Sequence, residues 1–102
     1  MRPRTNTDQQ PSVTRFAIGQ TYMTPGAEEA LMIAGQTGIE FLRRHMSQDW
    51  GELSDEDARQ NELSLKEDFR LLSAYRTAKG QKLWIITEAD RSSTTILLPS
   101  EY

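Results

Sequence analysis

The sequence predicts an α+β fold: a two-layer domain in which a three- to four-stranded antiparallel sheet carries two or three helices on one face, in the order β-α-α-β-β-β. Three observations carry this expectation. Residues 69–99 contain three runs rich in β-branched and aromatic residues, FRLLSAYRT (69–77), KLWIITE (82–88) and TTILLP (94–99). Two polar turns, Ala78-Lys79-Gly80-Gln81 and Ala89-Asp90-Arg91-Ser92-Ser93, separate them and make the set a C-terminal meander. Upstream, Thr24-Pro25 and Ser54-Asp55 are helix starts, and one loosely alternating run precedes them.

In chain order, residues 1–14 combine Pro, Thr, Asn, Asp and Gln with a single branched aliphatic, Val13, and are expected to form a disordered arm. Residues 15–102 are then one domain, as a chain of 102 residues has room for a single core. Arg15–Met23 alternates Phe16, Ile18 and Tyr22 with polar or small residues and reads as the first strand, with Gly19 weakening it or marking a bulge. Thr24 can cap the helix that follows, Pro25 suits its first position, and Glu28 and Glu29 meet the positive end of its dipole. That helix breaks at Gly35 and Gly38 or runs on to Met46, because Leu31, Gly35, Gly38, Ile39, Leu42 and Met46 share one helical face. Ser54 and Asp57 open the next helix as a capping box, which should end near Leu65 or Lys66. Its apolar stripe is thin (Ala58, Asn61 and Leu65), so it is expected at the surface.

Charge narrows the classes of partner. The net charge is -3, but residues 24–68 carry eleven acids against four bases while both flanks are net basic. Nothing resembles the basic stripe that phosphate neutralisation requires, so direct nucleic-acid binding is not expected, although Arg70, Arg76, Lys79 and Lys82 could form a local patch. The absence of cysteine excludes disulfides and thiolate zinc sites, and no apolar run is long enough to span a bilayer. The N-terminal stretch has no apolar core of a signal peptide, and the expected location is cytoplasmic.

Chemistry-bearing residues gather in two places. Glu88, Asp90, Arg91, Ser92, Ser93, Thr94 and Thr95 crowd between two strands and could bind an anion or a metal. No glycine follows Gly80 to let a backbone approach a phosphate, so the simpler reading is a turn satisfied by its own side chains. In it Asp90 and the serines bond the turn backbone, and Arg91 pairs with Glu88 or Asp90. Second, His45, Asp49 and Glu52 would share one face if helical, as a carboxylate–imidazole dyad or part of an oxygen-rich metal site. Against this stands a histidine that merely compensates the end of a helix dipole, with Trp50-Gly51 pinning a connector to the core. Neither group completes a catalytic set, and no cofactor or metal is expected. The eight carboxylates from Asp49 to Asp68 could also mimic nucleic acid, or form an ordinary solvated helix face.

The meander adds a surface. A two-residue turn at Lys79-Gly80 would set Tyr75 opposite Trp84 and Ser73 opposite Ile86, with Leu72, Ala74, Leu83 and Ile85 on the other face. Both faces are then apolar, and helices from so short a chain cover one of them. Tyr75, Trp84 and Ile86 become the expected interface, with a second copy as the simplest partner.

HMSQDWGELSDEDARQNE, RLLSAYR and KLWIITEADRSSTTILLPSEY resemble a group of small proteins carried on bacterial plasmids and integrative elements. Members are sometimes labelled as subunits of restriction systems, a label that this chain does not support, since it has no glycine-rich cofactor turn of a methyltransferase. The resemblance implies a bacterial mobile-element setting and assigns no residue a role. The expected function is therefore a non-enzymatic accessory or protein-interaction module that self-associates. The alternatives are a small enzyme or ligand-binding protein using residues 88–95 with His45 or Asp49, and an acidic nucleic-acid mimic.

Overall fold

The computed structural model describes residues 16–102; the expected arm at 1–14 lies outside them. Strand β1 (Gln20–Met23) leads into helix α1 (Pro25–Ala34), α2 (Gly38–Met46) and α3 (Asp55–Glu67). Strands β2 (Leu71–Arg76), β3 (Lys82–Thr87) and β4 (Ser93–Leu97) follow, and a short 3-10 helix (Pro99–Glu101) closes the chain. The fold is α+β, as the sequence predicts. The four strands form one sheet in the order β1-β4-β3-β2.

The sheet is mixed, which corrects the expected all-antiparallel arrangement. β2, β3 and β4 are the antiparallel meander, but β1 pairs with β4 in parallel, Gln20 beside Ser93 through Met23 beside Ile96. The helices are the reason. They carry the chain across the sheet and return it to the end from which β1 started, so β2 runs in the direction of β1. Two hairpins later β4 runs that way again, and β1 meets it at the edge.

Each helix ends by the same device. Gly35, Gln48 and Asp68 sit at positive φ (69°, 66° and 57°), and the residue after each donates its N–H back to Leu31, Arg44 and Ser64 respectively. This is the six-to-one bond of a left-handed helix cap. Gly35 thereby settles the break between α1 and α2. At the helix starts Thr24 accepts from the Ala27 N–H and Ser54 from the Asp57 N–H, so both sequence caps are in place.

The core lies between the sheet and α1 and α2. Ala27 and Leu31 of α1 and Phe41 and Leu42 of α2 pack on Tyr75, Leu83, Ile85 and Ile96. A second cluster, Phe16, Trp50 and Leu71 with Ala58 and Leu65 of α3 beside it, closes the β2 side. The β2–β3 turn corrects the expected register. Thr77 donates to the Gln81 carbonyl and Gly80 adopts φ 88°, so the loop has three residues rather than two. Tyr75 therefore faces Leu83, Ser73 faces Ile85, and Ala74 faces Trp84. One residue of slip moves each side chain to the opposite face. Tyr75 is buried under the helices, Ile86 is also buried, and Trp84 lies on the other face with the ring of Tyr102 edge-on at 5.7 Å. Tyr75, Trp84 and Ile86 do not make one exposed surface.

Candidate functional site

Of the residues singled out by chemistry, His45 and Thr94 have no exposed surface, and His45 is the one that carries a titratable group. Its place in the last turn of α2 turns it inward over the sheet. There its Nδ1 lies 2.6 Å from the Ser73 hydroxyl and its Nε2 2.9 Å from that of Thr87. A neutral imidazole offers one donor and one acceptor, and a hydroxyl can answer either. The chain of hydroxyls continues from Thr87 to Thr94 at 2.8 Å, and Thr94 donates to the Ile18 carbonyl at 2.8 Å. The rings of Phe16 and Trp50 stand edge-on to the imidazole at 5.4 and 5.7 Å. Burial pushes the His45 pKa down to about 4, so it is neutral at neutral pH. It therefore does not compensate the helix dipole as a cation.

Asp49 and Glu52 do not join it. Asp49 lies 2.7 Å from Arg44, which holds its carboxyl below the usual carboxylate range, and it also accepts from the Gly51 N–H. Glu52 pairs with Arg76 at 3.0 Å. Both ion pairs are surface features, so the dyad weighed as the alternative does not form. Trp50-Gly51 instead pins the connector: Trp50 is buried, its carbonyl accepts from the Ala74 N–H, and Glu52 donates to the Ala74 carbonyl. Gly51 has φ 74°, and a Cβ there would stand 1.9 Å from the Ala74 carbonyl oxygen.

The crowd between β3 and β4 is a self-satisfied turn. Asp90 accepts from the Ser92 N–H at 3.0 Å. Arg91, at φ 61°, pairs with no carboxylate among the described residues: its guanidinium donates to the carbonyls of Phe69, Glu88, Ala89 and Ser64. Ser64 lies in the last turn of α3, so Arg91 ties that helix end to the hairpin. Glu88 faces Arg70 at 3.6 Å. Glu88, Asp90, Arg91 and Thr94, weighed as a site and expected as a turn, are thus used by the fold, each on a different partner. Among the described residues no three His, Cys, Asp or Glu gather to hold a metal ion, and no helix is long and apolar enough to cross a membrane.

The feature that sequence reading missed lies at the two edges of the sheet. The β2 edge is closed by the protein itself. Besides the Ala74 bonds to the Trp50–Glu52 segment, the Asn61 side chain of α3 both donates to the Leu72 carbonyl and accepts from the Leu72 N–H, a strand-like pairing made by an amide. Among the described residues nothing covers the β1 edge in this way: all four residues of β1 are exposed, and β4 is its one strand neighbour. Gln20 and Thr24 donate to the β4 side, to the carbonyls of Ser92 and Ile96, so the alternation of a strand turns the N–H and C=O of Thr21 and Met23 outward. Beside this edge, Tyr22, Met23, Gly38, Ile39 and Leu42 line a groove of about 180 Å³. A second groove, of about 340 Å³, continues past Met23 and Gly38 to Met32. Tyr22, Met23, Met32 and Ile39 are exposed by 57%, 41%, 72% and 52%, a cluster of apolar side chains around an open strand. The signal available in sequence was the uncharged run Ile18–Thr24.

Comparison with protein-family models, with curated proteins and with solved structures gives no match for this chain.

Proposed function

We propose that this protein is a small protein-interaction module that binds by adding a strand at the β1 edge. The observation that carries the reading is the contrast between the two edges. An unpaired edge is a template for another strand, and proteins that do not use one protect it with charge, proline or cover. Here the β2 edge is covered, whereas β1 is exposed, uncharged, uncovered by any other described strand and flanked by apolar grooves. Strand addition draws affinity from main-chain hydrogen bonds and specificity from pockets for alternate side chains, both of which this edge offers. The resemblance to plasmid and integrative-element proteins supports a bacterial, cytoplasmic setting for such a module.

A photoreactive residue at position 39 tests this in cells, with the same residue at Leu63, exposed on α3, as the control. The expected result is a discrete protein adduct from position 39 and none of the same mass from position 63. Adducts that are equal at both positions, or missing from position 39, would remove the edge as a binding surface.

A further inference from the structure

We infer that the occupant of the β1 edge is a second copy of this chain, joined by antiparallel β1–β1 pairing about a two-fold axis at Tyr22. This rests on the strand-addition reading and names its partner. The outward-facing groups of β1 fall at Thr21 and Met23, either side of Tyr22. Setting two such strands antiparallel places Thr21 of each copy opposite Met23 of the other. Each of those pairs exchanges two backbone hydrogen bonds, and all four outward N–H groups and carbonyls at the two positions of each copy find partners. Tyr22 meets its own counterpart as the intervening pair, where side chains lie closest and aromatic pairs are favoured. The sheet becomes eight strands long, with the covered β2 edges at its two ends.

Charge permits this pairing. An isologous contact sets each residue near its own copy or a close neighbour, so one charge on the edge would repel itself. Residues 18–24 contain none. Area favours it as well. The exposed parts of Tyr22, Met23, Met32 and Ile39 amount to roughly 400 Å² of side chain per copy, with Tyr taken near 200 Å² when fully exposed. Doubled across the axis and joined by the strand edges, this reaches about 1,000 Å², the lower end for a specific interface. A foreign strand would cover the Thr21–Met23 backbone but would have to bring its own complement to Ile39 and Met32. A second copy brings that apolar surface with it.

Sedimentation equilibrium of the purified full chain across the micromolar range tests the inference, beside Thr21→Pro and Ile39→Glu. Proline at position 21 removes an outward N–H and leaves the ladder to β4 intact; glutamate at position 39 charges an exposed helix position. The expected result is twice the chain mass for wild type and a folded monomer, by circular dichroism, for either variant. If Thr21→Pro fails to fold, Ile39→Glu decides alone. A wild-type monomer throughout the range would overturn the inference, as would a dimer that neither variant weakens or that Trp84→Glu alone dissolves. A monomer that still gives a foreign adduct from position 39 would end self-pairing and leave the strand-addition reading standing. Loss of the adduct as well would end both.

Discussion

At the scale of single residues, His45 shows how burial converts a reactive side chain into a structural one. Its ring nitrogens are taken by Ser73 and Thr87, the stacked rings of Phe16 and Trp50 stand edge-on beside it, and among the described residues nothing acidic contacts it to hold an imidazolium. The consequence is a dependence on acid. Folded, the ring stays neutral down to about pH 4, whereas in the unfolded chain it takes up a proton near its ordinary 6.5. Between those values the unfolded state binds more protons, so stability is full above the upper value and falls as pH falls through the window. The slope approaches about 1.4 kcal/mol per pH unit, and the whole window costs about 3 kcal/mol. Asp49, Asp90 and Glu101 are also held below their ordinary values, so they add to acid sensitivity with the same sign, at lower pH. Urea unfolding at pH 7 and pH 5 should therefore show a clear loss for wild type and a flatter response for His45→Gln, which has no proton to take. Equal losses in the two proteins would show that the acid response arises elsewhere.

At the scale of elements, the three helices were legible where local chemistry decides and less so where it does not. Thr24 and Ser54 announce the starts of α1 and α3, because a cap is a contact between near neighbours in sequence. The ends of α2 and α3 use Gln48 and Asp68 in a conformation that favours glycine, so the form of these caps carried no sequence signal, although α3 ends at Glu67, close to the expected Leu65 or Lys66. Asn61 was read as part of a thin apolar stripe. In the fold it is buried and pairs with both backbone groups of Leu72, which a hydrophobic pattern cannot show. Asn61→Ala should cost about 2–3 kcal/mol, since it leaves a strand donor and acceptor without partners in a closed site. Hydrogen exchange would then show faster exchange at the Leu72 amide, with the β3–β4 ladder unchanged. A loss below 1 kcal/mol with normal protection at Leu72 would mean that water replaces the amide without penalty.

At the scale of the whole molecule, one carboxylate ties the C-terminal turn to the start of α1. Glu101 accepts hydrogen bonds from Thr24, the Gly26 N–H and the Leu98 N–H, so the last residues of the chain cap the first helix. Tyr102 lies against Trp84 and its hydroxyl accepts from Arg70. Deleting Glu101 and Tyr102 should lower the melting temperature and shift tryptophan emission to longer wavelength, because Trp84 loses its cover while Trp50 stays buried. Unchanged emission would show that Tyr102 does not shield the indole.

The α+β class, the positions of the helices and C-terminal strands and the turn character of residues 89–93 followed from the sequence alone. Each is fixed by contacts within a few residues: caps, alternation and turn chemistry. The pairing of β1 with β4, the register of β2 on β3 and the surroundings of His45 and Arg91 were decided only in the tertiary structure. They join residues tens of positions apart, and a single extra residue in the Ala78–Gly80 loop turned Tyr75 from the expected interface into the core. The two sheet edges belong with these. Whether a strand is covered depends on what else the chain brings beside it: Asn61 and Gly51 reach β2, and no described strand reaches the outer side of β1.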